Sequence, residues 1–156
     1  MPEPVVASFY VSISEPAPPS VNKMYSTGQH GQRFLTKEGA KFKAALTQIV
    51  AQEIAPLNWK DAVDEVYLRR GWVRATIGVH TKLYNDSWKP GGKTKSGAVQ
   101  SPYQKIDDLN YAKIVLDAVA EATGIDDSCN LESTSRKIDG KKLIEVFYEV
   151  IRRDPA

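Results

Sequence analysis

The chain has 156 residues, 42% hydrophobic and 26% charged, with a net charge of +2; this is the size of one domain, spanning 1–156, and excludes a wholly disordered, collagen-like or purely coiled-coil chain. One cysteine, Cys129, and two histidines, His30 and His80, permit no intrachain disulfide and argue against a zinc enzyme of the usual His/Cys kind. No run approaches the roughly 18 apolar residues of a membrane span, and the opening MPEPVV has no basic n-region, so the expectation is a cytoplasmic protein without membrane contact.

Residues 5–14 (VVASFYVSIS) alternate loosely and predict a strand. The proline-rich Glu15–Ser20 breaks it, since proline cannot continue a hydrogen-bonded ladder, and the polar stretch Ser20–Arg33 reads as loop. Thr36 is placed to cap a helix running to about Ile54, with Phe42, Ala45, Leu46, Ile49 and Val50 on one face and Pro56 as the stop. From Tyr67 to Leu83 the pattern is strand-like. Val73, Ala75, Ile77, Val79, Thr81 and Leu83 point one way, and Trp72, Arg74, Thr76, His80 and Lys82 the other. Residues 85–104 (NDSWKPGGKTKSGAVQSPYQ) form a Gly/Ser/Lys-rich loop; a structureless loop of such length is usually functional or mobile. A second helix is expected from about Asp107 or Asp108 to Gly124, with Leu109, Ala112, Leu116, Val119 and Ala120 as its apolar face. Residues 133–138 and 143–151 flank Asp139-Gly140, a strong hairpin-turn signal, with Ile144, Val146, Tyr148 and Val150 buried. The order β-α-β-α-β-β means an α+β domain with a small mixed or antiparallel sheet and two main helices.

Charge is unevenly spread. From Tyr67 to Lys105 eight basic residues face one acid, Asp86, a net of +7. The acids gather in Asp61–Glu65 and Asp107–Asp127. A basic stretch beside an acidic cluster suits a protein that grips an anion and holds a cation nearby. A balanced protein with a solvated loop accounts for the same distribution equally well.

The chemistry-bearing segment is Lys105–Asp127, KIDDLNYAKIVLDAVAEATGIDD. One acid pair precedes the helix, a second follows it, and Lys113 lies one turn in. Carboxylate pairs bind Mg²⁺, a lysine beside them can hold a phosphate, and bound metal can activate water. The plainer alternative is that Asp107 or Asp108 caps the helix and that Asp126-Asp127 is a solvated turn. Asp117, four residues after Lys113, makes an ordinary helical pair with it. Trp72 and Trp88 are the base-stacking candidates, Trp88 the better placed of the two.

This segment resembles the signature of the RusA-type Holliday junction resolvases, roughly Asp-x-Asp-Asn-x-x-Lys, a Leu-Asp-Ala helix, a glycine and a final Asp-Asp. Asp107, Asn110 and Lys113 match, followed by Leu116-Asp117-Ala118, Gly124-Ile125 and Asp126-Asp127. Upstream, Pro18-Pro19-Ser20-Val21-Asn22 with Tyr25 resembles that family's opening loop, and Phe34–Ala45 its first helix. The resemblance covers most of residues 8–151. It implies a homodimeric, Mg²⁺-dependent endodeoxyribonuclease, with Mn²⁺ as a substitute, that nicks four-way DNA junctions symmetrically during recombination and repair. The implied setting is a bacterial cell, with the gene of phage or prophage type. The implied metal ligands are Asp107 and Asp127, with Asp108 as the candidate for a third and Lys113 as the catalytic cation; the basic stretch supplies the DNA-contacting candidates Arg74, Lys89, Lys93, Lys95 and Lys105. The sequence departs from the family at Leu109, where the second aspartate would stand, and carries the acid one place earlier, at Asp108. The alternative is therefore a non-catalytic junction-binding dimer of the same fold.

Overall fold

The computed structural model describes residues 4–105 and 108–153. A four-stranded mixed sheet carries helices on one face. Its strands are β1 (Val5–Ile13), β4 (Trp72–Thr81), β5 (Asn130–Asp139) and β6 (Leu143–Ile151), in the order β1-β6-β4-β5. A short helix α1 (Val21–Met24) leads into a small hairpin of β2 (Tyr25–Thr27) and β3 (Arg33–Leu35). Helices α2 (Lys37–Ile54), α3 (Trp59–Arg69) and α4 (Asp108–Thr123) complete the architecture. This is the expected α+β domain, with β1, α2, β4, α4, β5 and β6 in the expected order.

Thr36 caps α2 as its sequence predicts, its Oγ1 accepting from Gly39 N at 3.1 Å. Phe42, Leu46, Val50 and Ile54 of α2 are buried against the sheet residues Phe9, Val11, Ile13, Val73, Ala75, Ile77 and Val79. The β6 face Ile144, Val146, Tyr148 and Val150 is buried as expected. Full burial of one such side chain contributes about 1.5–3 kcal/mol, so this inner face is the main source of stability. On α4 the buried face is Tyr111, Ile114, Val115, Ala118 and Val119. Ala112, Leu116 and Ala120 are only half-buried, so the helix is turned relative to the expected stripe.

The stretch Ser20–Arg33 is not a continuous loop but holds α1 and β2, and two further sequence expectations are corrected. The stretch after Pro56 is not a simple connection into a strand starting at Tyr67. It folds as α3, and the strand begins at Trp72. Trp59 anchors α3 by an edge-on contact with Phe9, ring centroids 5.7 Å apart, and by donating Nε1–H to the Thr123 carbonyl at 3.0 Å. The two C-terminal strands also form no hairpin. β5 pairs with β4 in parallel and β6 pairs with β4 antiparallel, so β4 lies between them. The Asp139-Gly140 pair spans the end of β4: Asp139 Oδ1 accepts from Leu83 N at 3.0 Å, and Gly140 N–H donates to the Thr81 carbonyl at 3.1 Å.

Among the described residues the outer sheet face holds no helix. There Glu145 accepts from Tyr10 Oη at 2.6 Å and faces His80 Nε2 at 2.9 Å. A side chain at Gly78 would bring its Cβ within 2.6 Å of Glu145 Oε1, so the absence of one seats this carboxylate. The Tyr10 and His80 hydrogen bonds hold the Glu145 carboxyl below the ordinary carboxylate range. A depressed folded pKa adds stability above the unfolded value of about 4.3 that disappears as pH falls through the folded value. Urea titrations of Tyr10→Phe should therefore show a smaller loss of stability on acidification than the parent; identical acid limbs would exclude this contribution.

Candidate nucleic-acid and metal site

The lysines of the basic loop lie beyond the end of the sheet where β4 finishes. The chain leaves β4 into the basic loop, which is not structureless. Tyr84 and Tyr103 bridge its neck with rings 5.7 Å apart, Gln104 N–H donates to the Leu83 carbonyl at 2.7 Å, and Lys93 bridges Val99 nearer the tip. Trp88, the base-stacking candidate, donates its indole N–H to the Gln100 carbonyl at 3.1 Å and is 37% exposed. Its ring therefore also braces the loop. From the neck the chain passes Lys105 and enters α4 at Asp108. In sequence, Lys105 at the loop's exit stands three residues before the start of α4, and a helix start favours a phosphate.

The opening loop comes to the same place. Tyr111 Oη, in the first turns of α4, donates to the Pro19 carbonyl at 2.8 Å. The opening loop at Pro19 and the first turn of α4 at Tyr111, far apart in sequence, are therefore neighbours. Lys113 is exposed and makes no hydrogen bond or ion pair among the described residues. Its expected pairing with Asp117 does not form. Asp107, together with the side chains of Asp108, Leu109, Val21 and Asn22, lies outside the described residues.

Asp127 stands elsewhere. Gly124, with φ 72°, ends α4, and Asp126 then caps a single 3-10 turn, Asp127–Cys129, accepting from Ser128 N at 3.1 Å and from its hydroxyl. These bonds hold the Asp126 carboxyl below its usual range. The Asp127 carboxylate is exposed and engages no partner among the described residues. Of the two adjacent acids, Asp126 is spent on local structure and Asp127 is the one available to a ligand. The 16 residues of α4 separate Asp127 from the helix start by about 24 Å at 1.5 Å per residue. No cluster of three His, Cys, Asp or Glu side chains converges among the described residues.

The basic segment divides sharply. Arg74 lies between Glu149 at 3.0 Å and Glu132 at 3.4 Å, with its guanidinium 6.0 Å from the Trp72 ring centroid. It is a structural cation of the outer sheet face rather than a free phosphate ligand. Arg69 pairs with Glu65, and Lys82 with Asp86. Lys89, Lys93, Lys95 and Lys105 are exposed and carry no ion pair among the described residues; these four surround the loop and its exit. Sequence reasoning missed Arg33, which lies over the Tyr25 ring at 4.7 Å. Its local signal was an Arg-Phe-Leu run inside a polar stretch that read as loop.

No family model matches this chain, and no curated protein matches it. Among the described residues no helix is long and apolar enough to cross a membrane.

Replacing Lys89, Lys93 and Lys95 together with alanine should weaken DNA binding and leave the melting temperature nearly unchanged, because the loop's hydrogen bonds use the backbone of Lys89 and Lys93 and none of the three side chains. A collapse in melting temperature would instead make these side chains structural.

Proposed function

We propose that the chain is a metal-dependent endodeoxyribonuclease of the RusA type that nicks four-way DNA junctions, working as a homodimer. One observation carries this reading. The Tyr111–Pro19 hydrogen bond brings the opening-loop motif against the helix that bears Asn110 and Lys113, so two separate segments of the resemblance meet at one place. The four lysines of the loop and its exit, without ion pairs among the described residues, add positive charge in the segment that leads into this helix, suited to the phosphate backbone.

Asp127 supports the metal assignment as an exposed carboxylate without a competing cation, the oxygen donor Mg²⁺ takes. Asp107 and Asp108 would supply the remaining carboxylates. Bound Mg²⁺ would lower the pKa of water and neutralise charge on the attacked phosphate. Lys113 would hold the scissile phosphate and offset the negative charge that grows on its oxygens. Attack at phosphorus would leave 5′-phosphate and 3′-hydroxyl ends. The loop lysines would fix the arms without reading their sequence.

The second reading, a junction-binding dimer that does not cut, is favoured by Leu109 in the place of an acid. The deciding experiment incubates a labelled four-way junction, and a linear duplex as control, with the protein in the presence and absence of Mg²⁺ or Mn²⁺. Paired, metal-dependent nicks in the junction are the expected result. Tight junction binding without nicks under either metal would select the second reading, and equal affinity for junction and duplex, or none for either, would overturn both.

A further inference from the structure

The strand β5 is an outer edge of the main sheet, hydrogen-bonded among the described residues to β4 alone. Most of its residues are exposed. In a parallel pair, alternate residues aim their N–H and C=O away from the partner strand, so half of the β5 backbone groups face outward. The strand Asn130–Asp139 contains no proline to block pairing, and such an edge is open to another strand.

The register with β4 fixes which β5 side chains share a face. Glu132, Thr134 and Arg136 stand beside Arg74, Thr76 and Gly78 on the outer face, and Ser133, Ser135 and Lys137 beside Ala75, Ile77 and Val79 on the helix face. Glu132 and Arg136 lie equally far from Thr134. Two β5 strands paired antiparallel about a two-fold axis through Thr134 therefore set each Glu132 opposite Arg136 of the partner subunit. Arg136 is exposed and makes no ion pair among the described residues, and the Glu132 side chain stays 52% exposed beside Arg74. On the helix face the same axis sets Ser133 of the partner subunit opposite Ser135, whose Oγ is buried without a hydrogen-bond partner among the described residues. It also sets the exposed Leu131 opposite Lys137 of the partner subunit, whose aliphatic stem can cover it.

The helix above fits the same axis. α4 packs on both β4 and β5, and α2 packs on β1 at the other side of the sheet. α4 leans on α2 through Lys43 and Glu121, 3.5 Å apart, and through the Thr47 hydroxyl, 3.5 Å from the Ala118 carbonyl. Leu116 precedes Glu121 by five residues, about 140° round the helix, so it stands on the flank turned from α2 toward the β5 edge. Ala112, Leu116 and Ala120 form one stripe at four-residue spacing, and all three are only half-buried. Strands spaced about 4.8 Å apart put two helices that each ride over a β4–β5 pair about 10 Å apart across the axis, close to the roughly 8–10 Å of packed helices.

We infer that the edge of β5 and the Ala112–Leu116–Ala120 flank of α4 form the interface with a second copy of this chain, joining the two sheets into one. This rests on the homodimer of the proposed function and gives it a surface, a register and an axis. Backbone hydrogen bonds and the apolar flank hold the pairing. The charge pairs, exposed and screened, contribute little affinity and fix the register.

The test is sedimentation equilibrium of the parent, Arg136→Glu, Glu132→Arg and an equimolar mixture of the two variants, with the melting temperature of each. In either variant alone both cross-strand pairs become like charges, which should weaken dimerisation about tenfold or more. In the mixed dimer both pairs are again opposite in charge, so mixing should restore association; damage within one subunit would not be repaired this way. Variants that dimerise as the parent does, or a mixture as weak as its components, overturn the interface. If either variant fails to fold, Thr134→Cys in a Cys129→Ser background decides. Residue 134 meets its own copy on the axis, so oxidation should link the dimer, and absence of the link overturns the inference. A dimer that ignores these changes yet nicks junctions overturns the interface and leaves the nuclease reading standing. A dimer that responds as expected but cuts no junction keeps the interface and removes the nuclease reading. A parent that stays monomeric at every concentration overturns both the interface and the homodimer.

Discussion

Asp107→Asn and Asp127→Asn proteins, each inactive alone, should regain single-strand nicking when their subunits are exchanged. The geometry behind this is the length of α4, whose 16 residues span about 24 Å. Metal ligands stand about 2.1 Å from Mg²⁺, so a carboxylate at the start of the helix and Asp127 beyond its end cannot serve one ion within one subunit. Antiparallel pairing of two such helices about a two-fold axis places Asp127 of one subunit beside the helix start of the other and generates two identical sites. In the mixed dimer one site then carries both native acids and the other carries neither. The product should be a nicked junction rather than a resolved one, read on a denaturing gel. No recovery after verified subunit exchange would mean that each site is self-contained, and the shared arrangement would be abandoned.

Asp108→Asn should reduce cleavage by at least about 100-fold, the scale of a lost charge-stabilising group at a reacting phosphate, while leaving junction affinity intact. The helix itself gives no reason for a loss, because asparagine and aspartate serve helix starts about equally well. The backbone of α4 opens at Asp108, and the next position lies about 100° further round the helix. Leu109→Asp therefore tests the family arrangement separately. It should raise activity if position 109 faces the metal. Full activity in Asp108→Asn would remove that residue from the site.

What was legible in the sequence was local. The cap at Thr36 and the apolar spacing of Phe42, Leu46 and Val50 defined α2, and the alternation from Val73 to Val79 defined β4, each by short-range rules. The helix α3 was hidden because Pro56 ends one helix only two residues before Asn58 precedes the next, and because Tyr67 and Leu68, both exposed, imitate the start of a strand. The turn of α4 was misjudged for a different reason. Leu116 and Ala120 are apolar, but Ile114, Val115 and Ala118 occupy the core, and a helix rich in small and apolar residues offers more than one plausible buried face. At the site, the pairing of Asp126 with Asp127 was visible, but the division of labour between a turn cap and an unengaged carboxylate required Ser128 to be placed in space. The same limit applied to Arg74, whose partners Glu132 and Glu149 come from two other strands.

The position of β4 between β5 and β6 has a consequence for the order in which the protein can assemble. Asp-Gly links two strands that never touch, so the segment from Asn130 to Ile151 cannot nucleate as an independent local unit of the kind a hairpin provides. A strand completed at Thr81 must wait for partners beginning at Asn130 and Leu143, and β1, completed at Ile13, waits for the same last strand. Every pairing of the main sheet therefore closes a long loop, which slows folding. As the chain is synthesised, both edges of β4 and the inner edge of β1 stay unpaired until near the end. Chains interrupted before Leu143 would display open strand edges, the feature that most readily recruits other chains, so the last nine-residue strand guards against aggregation as well as completing the core.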